Sequence, residues 1–182
     1  ILQYRDKINE TRHMVAAVTS ILDVVDSEEV KVIVNDRVDV AMAAGADGVH
    51  LGPADMDASK ARRIMGDDMI IGISVKTLEG AESVPVDLVD YAFIGGVHPT
   101  TSKDNRTAMG VEGWVERAQT IREYAPKLPI GAIAGITVEN ASEIIAAGAD
   151  GIAVISAMFK ADDVAGTTRC FREVIEEAKA SR

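Results

Sequence analysis

The chain is poor in what several common architectures need. Its single cysteine, Cys170, leaves no internal disulfide framework and fits a reducing compartment. No apolar run approaches the ~20 residues of a bilayer span, and no secretory signal is visible. Basic residues are in the minority, 19 against 29 acidic ones, and the resulting net charge of −10 excludes a general nucleic-acid binder, which needs a basic face. There is no G-x-G-x-x-G dinucleotide fingerprint and no Ser-His-Asp or Cys-His arrangement that would mark a nucleophile with its base. An initiating Met is also missing. The chain opens inside an apolar, strand-like stretch at Ile1, so residues are expected to precede it.

What is present is a regular alternation of strand and helix with short connections. At 182 residues this is read as one domain, 1–182, long enough for a sizeable core. Strands are predicted at 1–4, 32–34, 48–51, 69–73, 88–94, 129–133 and 150–155. Helices are predicted at 11–25, where Met14, Val15, Val18, Ile21, Leu22 and Val25 share a face, and at 38–44, 57–65, 77–84, 111–124, 138–147 and 163–179. Asp57 and either Asp162 or Asp163 are the expected N-caps. Alternation of this kind signals a parallel α/β fold. Seven strands each followed by a helix would make a closed TIM (βα)8 barrel if one βα unit came first. The segment A-A-G-A-D-G-V at 43–49 recurs as A-A-G-A-D-G-I at 146–152, which supports repeating units and is read as barrel construction, not catalysis.

In such folds the C-terminal ends of the strands carry the chemistry. Those ends collect Gln3, Arg5 and Lys7; Asn35 and Asp36; Asp55; Ser74; Thr100, Ser102 and Lys103; Gly135; and Ser156. Cations, hydroxyls and two carboxylates make an anion site. Asp36 and Asp55 suit Mg²⁺, which takes one or two carboxylates and completes its shell with phosphate oxygens and water; Asp36 fits a helix-cap role equally well. Lys, Arg and Mg²⁺ together suit a diphosphate, bound or departing. Gly135 and Ser156 suggest a second phosphate site in the last two βα loops. Two anion sites imply two phosphorylated substrates, or one with phosphates at both ends. Asp39, Asp47 and Asp150 are read as structural, His50 as a packed core residue, His13 as surface, and Trp114 and Cys170 as helix packing. His98 falls in a long polar loop of the functional kind.

The motifs L-Q-Y-R-D-K (2–7), I-V-N-D-R-V-D-V-A (33–41), G-A-D-G-V-H-L-G with the following Asp55, I-G-I-S (71–74), H-P-T-T-S-K (98–103), A-G-I-T with Asn140, and G-A-D-G-I-A-V-I-S-A (148–157), in this order, resemble the thiamine phosphate synthase family over essentially the whole chain. The resemblance implies a (βα)8 barrel whose first βα unit and the start of whose second strand lie before Ile1. It implies a cytoplasmic, Mg²⁺-dependent transferase of thiamine biosynthesis. That enzyme joins 4-amino-2-methyl-5-hydroxymethylpyrimidine diphosphate to a thiazole phosphate, giving thiamine phosphate and diphosphate. By the same resemblance, Gln3, Tyr4, Arg5, Asp6, Lys7 and Asn35 would hold the pyrimidine diphosphate, with Asp36 and Asp55 on Mg²⁺. Ser74 and Lys103 would complete the diphosphate pocket, and Arg5, Lys7, Ser74 and Lys103 would act in catalysis. Thr100, Thr101 and Ser102 would face the thiazole phosphate, and Gly135, Ile155 and Ser156 would hold its phosphate.

The partners implied are these small molecules, without nucleic acid or membrane; a homo-oligomer is compatible. Pro53 stands where the family usually has Gln, His98 where it often has Phe, Ser102 for a common Thr, and Ala134 for the first Gly of a pair. The neighbouring readings are a thiazole tautomerase of the same family, a sugar-phosphate epimerase on a similar barrel, and a non-catalytic thiamine-precursor-binding domain or lobe of a larger protein. The full set Arg5, Lys7, Asn35, Asp36, Asp55 and Lys103 favours the synthase.

Overall fold

Strand and helix alternate along the chain as the pattern predicts. The computed structural model describes residues 1–26, 28–99 and 108–182. They fall into two compact units, Ile1–Ser74 with Pro85–Tyr91, and Val75–Val84 with Ala92–Arg182.

In the first unit, β1 (Leu2–Tyr4), β2 (Val32–Asn35), β3 (Gly48–Leu51) and β4 (Ile70–Val75, with Val75 itself in the second unit) pair in chain order, all parallel. The uninterrupted apolar run of β2 is explained by burial on both faces. Val32 and Val34 pack with Met14 and Val18 of α1 (Thr11–Leu22) and with Val40 and Ala41 of α2 (Val38–Ala44). Leu2 and Tyr4 lean on the same cluster from β1, which leaves the alternate residues Gln3 and Arg5 exposed. Helix α1 stops at Leu22, short of the predicted Val25, although Val25 still packs against the cluster from the following turn. Helix α3 (Ala58–Met65) starts where Asp57 accepts a hydrogen bond from the Ser59 N–H at 2.9 Å, as predicted.

The second unit carries β5 (Tyr91–Gly95, with Tyr91 itself in the first unit), β6 (Ile130–Ile133) and β7 (Gly151–Ala153), again parallel and in chain order. Trp114 of α5 (Gly110–Tyr124) is fully buried and donates to the Gly131 carbonyl at 3.3 Å, so its assignment to packing holds. Helix α4 (Leu78–Glu82) is capped by Thr77, α6 (Val138–Ala146) by a Thr137–Asn140 capping box, and the long α8 (Val164–Ala180) by Asp163; α6 and α8 pack together. A single-turn helix α7 (Ser156–Phe159) shortens the strand predicted to reach Ile155. Four residues are too few to show a helical period. Cys170 is a correction: it is exposed, and the neighbouring Phe171 is the buried residue of α8. No helix among the described residues is long and apolar enough to cross a membrane.

The repeated A-A-G-A-D-G segment has a specific structural use. Asp47 donates its N–H to the Val32 carbonyl and accepts the Val32 N–H on its carboxylate at 2.8 Å, clamping the start of β2. Asp150 does the same to Ile130 at the start of β6, also at 2.8 Å. A third clamp joins Asp90 to Ile71 in β4 at 2.7 Å, with Arg62 donating to the same carboxylate. Each clamp satisfies a backbone donor that the sheet ladder would leave unpaired. These carboxylates sit at the N-terminal ends of the strands, away from the end that carries chemistry, and the structural reading of Asp47 and Asp150 is borne out.

Candidate active site

The site in the first unit is assembled where β1, β2 and β3 end. Asp36 follows β2 with a positive φ of 65°, a conformation that non-glycine residues rarely adopt outside Asn and Asp. Its N–H donates to the His50 carbonyl at 2.8 Å, so the turn is tied to β3. The carboxylate makes a close ion pair with Lys7. Helix α2 begins after Arg37 without a side-chain cap, so the helix-cap alternative for Asp36 is set aside. Arg37 instead pairs with Asp39 at 2.8 Å.

Asp55 arrives by a tight turn. Its N–H donates to the Gly52 carbonyl at 3.1 Å, and its carboxylate accepts the Gly52 N–H at 2.7 Å. Pro53 occupies the second position of this four-residue turn, where its fixed φ is favourable. The departure from the family pattern thus serves to build the loop that delivers Asp55. Asp36 and Asp55 share a hydrogen bond. Burial and this sharing raise the Asp55 pKa above its usual value. At Asp36 burial also works against the charge, but the hydrogen bond with Asp55, Lys7 and the nearby Arg5 outweigh it and hold the pKa down. Two carboxylates placed this close repel each other when both are charged, and Lys7 beside them offsets part of that repulsion. Together with Lys7, Arg37 and Met56 they line an open cleft of about 570 Å³. Among the described residues no group of three or more His, Cys, Asp or Glu gathers. Asp36 and Asp55 are the carboxylate pair the cleft offers among the described residues, a donor set of the kind that suits Mg²⁺ with the rest of its shell from phosphate and water.

Tyr4 and Asp6, expected at the substrate, hydrogen-bond to each other. The Tyr4 hydroxyl donates to Asp6 at 2.9 Å, and Asp6 also accepts the Ile8 and Asn9 N–H groups. Those bonds, chiefly from Asn9, hold the Asp6 carboxyl well below the usual range. The pair builds the turn that presents Lys7. Ser74 lies within β4, and its hydroxyl meets Nε2 of the buried His50 at 2.8 Å, while Nδ1 of His50 meets the Tyr91 hydroxyl at 3.1 Å. His50 is buried as expected, but sequence reasoning missed its contact with a site residue. The only available signal was a polar residue in an otherwise apolar strand.

In the second unit, Ala134 and Gly135 both have positive φ, 91° and 67°. A Cβ at Gly135 would come within 2.6 Å of the His98 Cβ and the Pro99 carbonyl. The glycine is thus required first by close packing with the chain's own backbone. Asn140 pins this turn, donating to the Gly135 carbonyl at 3.0 Å and accepting the Thr137 N–H at 2.8 Å. The His98 N–H donates to Ala134, and its Nε2 is buried with no hydrogen-bond partner among the described residues. Ile155 is exposed and precedes α7, which Ser156 opens. Thr100, Thr101, Ser102 and Lys103 lie outside the described residues.

The chain is thus a run of sequential parallel βα units of a TIM-like fold, with an Asp pair and a lysine gathered at the C-terminal strand ends. The family model described as thiamine monophosphate synthase matches residues 1–158, and the chain belongs to that family. It is 48% identical to a thiamine-phosphate synthase of Agrobacterium fabrum, over 100% of this chain and 83% of the relative. It is 40% identical to one from Chloroflexus aurantiacus, over 96% of this chain and 79% of the relative. Among solved structures it resembles thiamine phosphate pyrophosphorylase from Pyrococcus furiosus, with a TM-score of 0.85 and 39% identity, covering 97% of this chain and 82% of that one.

Proposed function

We propose that this chain joins the hydroxymethylpyrimidine diphosphate to the thiazole phosphate, releasing diphosphate and thiamine phosphate. The observation that carries the reading is the cluster of Lys7, Asp36 and Asp55 at the strand ends, with Arg5 close enough to act on Asp36. Such a group has no use in a neutral pocket and suits a diphosphate in company with a divalent cation. Asp36 and Asp55 would hold Mg²⁺, which when bound supplies positive charge to a leaving diphosphate. Lys7 and Arg5 add fixed positive charge at the same place, and Ser74 offers a hydroxyl. The bond-forming nitrogen of the thiazole carries no proton, so no general base is required, in keeping with the absence of a nucleophile-and-base pair from the sequence. The chain's own task is to orient the substrates and to stabilise the charge on the departing group.

Gly135, Ile155 and Ser156 would receive the thiazole phosphate, on a turn held by Asn140. Family membership supports this, and it does not favour the tautomerase, epimerase or precursor-binding readings. A closed eight-unit barrel is part of the proposal; the half-exposed faces of β1 and β7 and the greater length of the relatives support it. The test is turnover with both substrates and Mg²⁺, omitting each in turn. Thiamine phosphate and diphosphate should appear together only in the complete mixture. Binding of both substrates without product would overturn the reading.

A further inference from the structure

The mechanism above uses Ser74 but leaves unexplained the buried polar chain behind it. His50 and Tyr91 are among the few polar groups inside this aliphatic core, at 5% and 8% exposure. Placing them there costs solvation that ordinary packing residues would avoid. The sequence makes specific room for them. Gly72 stands opposite His50 across the β3–β4 ladder, and a Cβ on Gly72 would overlap the Cζ and hydroxyl of Tyr91. The tyrosine passes through the space that a side chain would fill, and its ring stacks on His50 with centroids 5.6 Å apart.

Either ring nitrogen of His50 can donate or accept, so the tautomer decides what Ser74 meets. A phenol is a good donor, and burial together with Asp90 raises the pKa of Tyr91, which keeps its proton. Donation from the Tyr91 hydroxyl to Nδ1 leaves the His50 proton on Nε2. In that tautomer Nε2–H is the donor across the 2.8 Å separation from the Ser74 oxygen. With its oxygen accepting from behind, the Ser74 hydroxyl has its own proton to give to an acceptor in front. We propose that Tyr91 and His50 are positioning residues that hold the Ser74 hydroxyl as a hydrogen-bond donor toward the departing diphosphate. This rests on the reading of Ser74 as a diphosphate contact. Without the phenol, the proton on His50 is free to move to Nδ1, Nε2 becomes an acceptor, and Ser74 turns inward to donate to it.

Two readouts test the proposal. The first is kinetic. Y91F should lower kcat about tenfold, with KM for the pyrimidine diphosphate within about twofold, because the donor matters most as charge develops on the leaving group. In an S74A background the same Y91F change should cost nothing further. An equal loss in both backgrounds, or none in either, would overturn the inference, because a merely structural tyrosine acts independently of Ser74. The second readout needs no turnover. The ¹⁵N shifts of His50 in the full chain should show the Nε2–H tautomer, changing to Nδ1–H in Y91F. An Nδ1–H tautomer in the unsubstituted chain would overturn the inference whether or not the chain is active. Failure of the unsubstituted chain to make product would instead count against the synthase reading.

Discussion

Gly72→Ala puts a single methyl group where the Tyr91 ring already stands. The new Cβ would coincide with the end of the Tyr91 ring, and Tyr91 is itself buried, so the overlap cannot be relieved by swinging the side chain into water. Either the ring tilts out of its stack on His50 or strands β3 and β4 shift. Forcing a methyl into a packed core costs roughly 1–3 kcal/mol. For a chain of this length each kcal/mol moves the melting temperature by about 2–4 °C, so the transition should fall by roughly 2–12 °C. Displacing Tyr91 also breaks its bond to His50, and kcat should fall about tenfold, as in Y91F. The two effects separate in G72A combined with Tyr91→Leu, where the smaller side chain relieves the overlap but supplies no hydroxyl. That variant should regain part of the lost stability and none of the lost turnover. Differential scanning calorimetry and steady-state assays read the two quantities. A G72A protein with unchanged melting temperature and unchanged kcat would refute the packing on which the argument stands.

Three further outcomes follow from other parts of the chain. Asp36→Ala removes the partner of both Lys7 and Asp55 and should lower turnover by at least about a hundredfold at saturating Mg²⁺, with the far-UV circular dichroism unchanged; near-normal turnover would count against the site. Asp55 has its pKa raised in the folded state, so ionising it opposes folding above that pKa, and the cost disappears on acidification below the unfolded value. Asp55→Asn should therefore raise the melting temperature of the metal-free protein at pH 7 by ~1–3 °C, with a gain that shrinks as pH falls through the Asp55 pKa, and should abolish stabilisation by Mg²⁺. Asp90→Ala leaves the N–H of the fully buried Ile71 without its 2.7 Å acceptor and should cost about 1–3 kcal/mol in urea denaturation. Asp90→Asn, which keeps an acceptor oxygen, should recover most of that.

Much of the architecture was legible in the order of residues. A strand buried on both faces reads as an unbroken apolar run, as at Val32–Val34, and an amphipathic helix reads as a period, as in α1. Asp57, and the Asp162–Asp163 pair, announce helix starts because a short side chain ahead of an apolar stretch has few better uses; the structure selects Asp163 of the pair. Element ends were less legible. Val25 packs against the core from beyond the end of α1, so its apolar character overstated the helix. The predicted strand 88–94 begins at Tyr91, because the Leu88 N–H is held in a turn by Pro85 and the Leu88 carbonyl accepts from Arg62. Asp90 went unremarked while Asp47 and Asp150 stood out, because only the latter pair lies in a repeated segment.

For the site, the sequence by itself determined which residues reach the C-terminal strand ends. The period of strand and helix sets that without knowledge of how the strands are spaced, and so Lys7, Asp36, Asp55 and Ser74 could be named together. It also set which chemical groups are available there, namely cations, hydroxyls and paired carboxylates. Tertiary structure alone decided which of these groups touch. The sharing between Asp36 and Asp55 depends on a positive φ at one and a Pro53 turn at the other. The role of His50 depends on strand register, which sets it opposite Gly72 and so in reach of Tyr91, 41 residues further along the chain. Register is fixed by the packing of whole elements against one another, so no local stretch of sequence shows that a buried histidine, a glycine and a tyrosine will meet behind a serine.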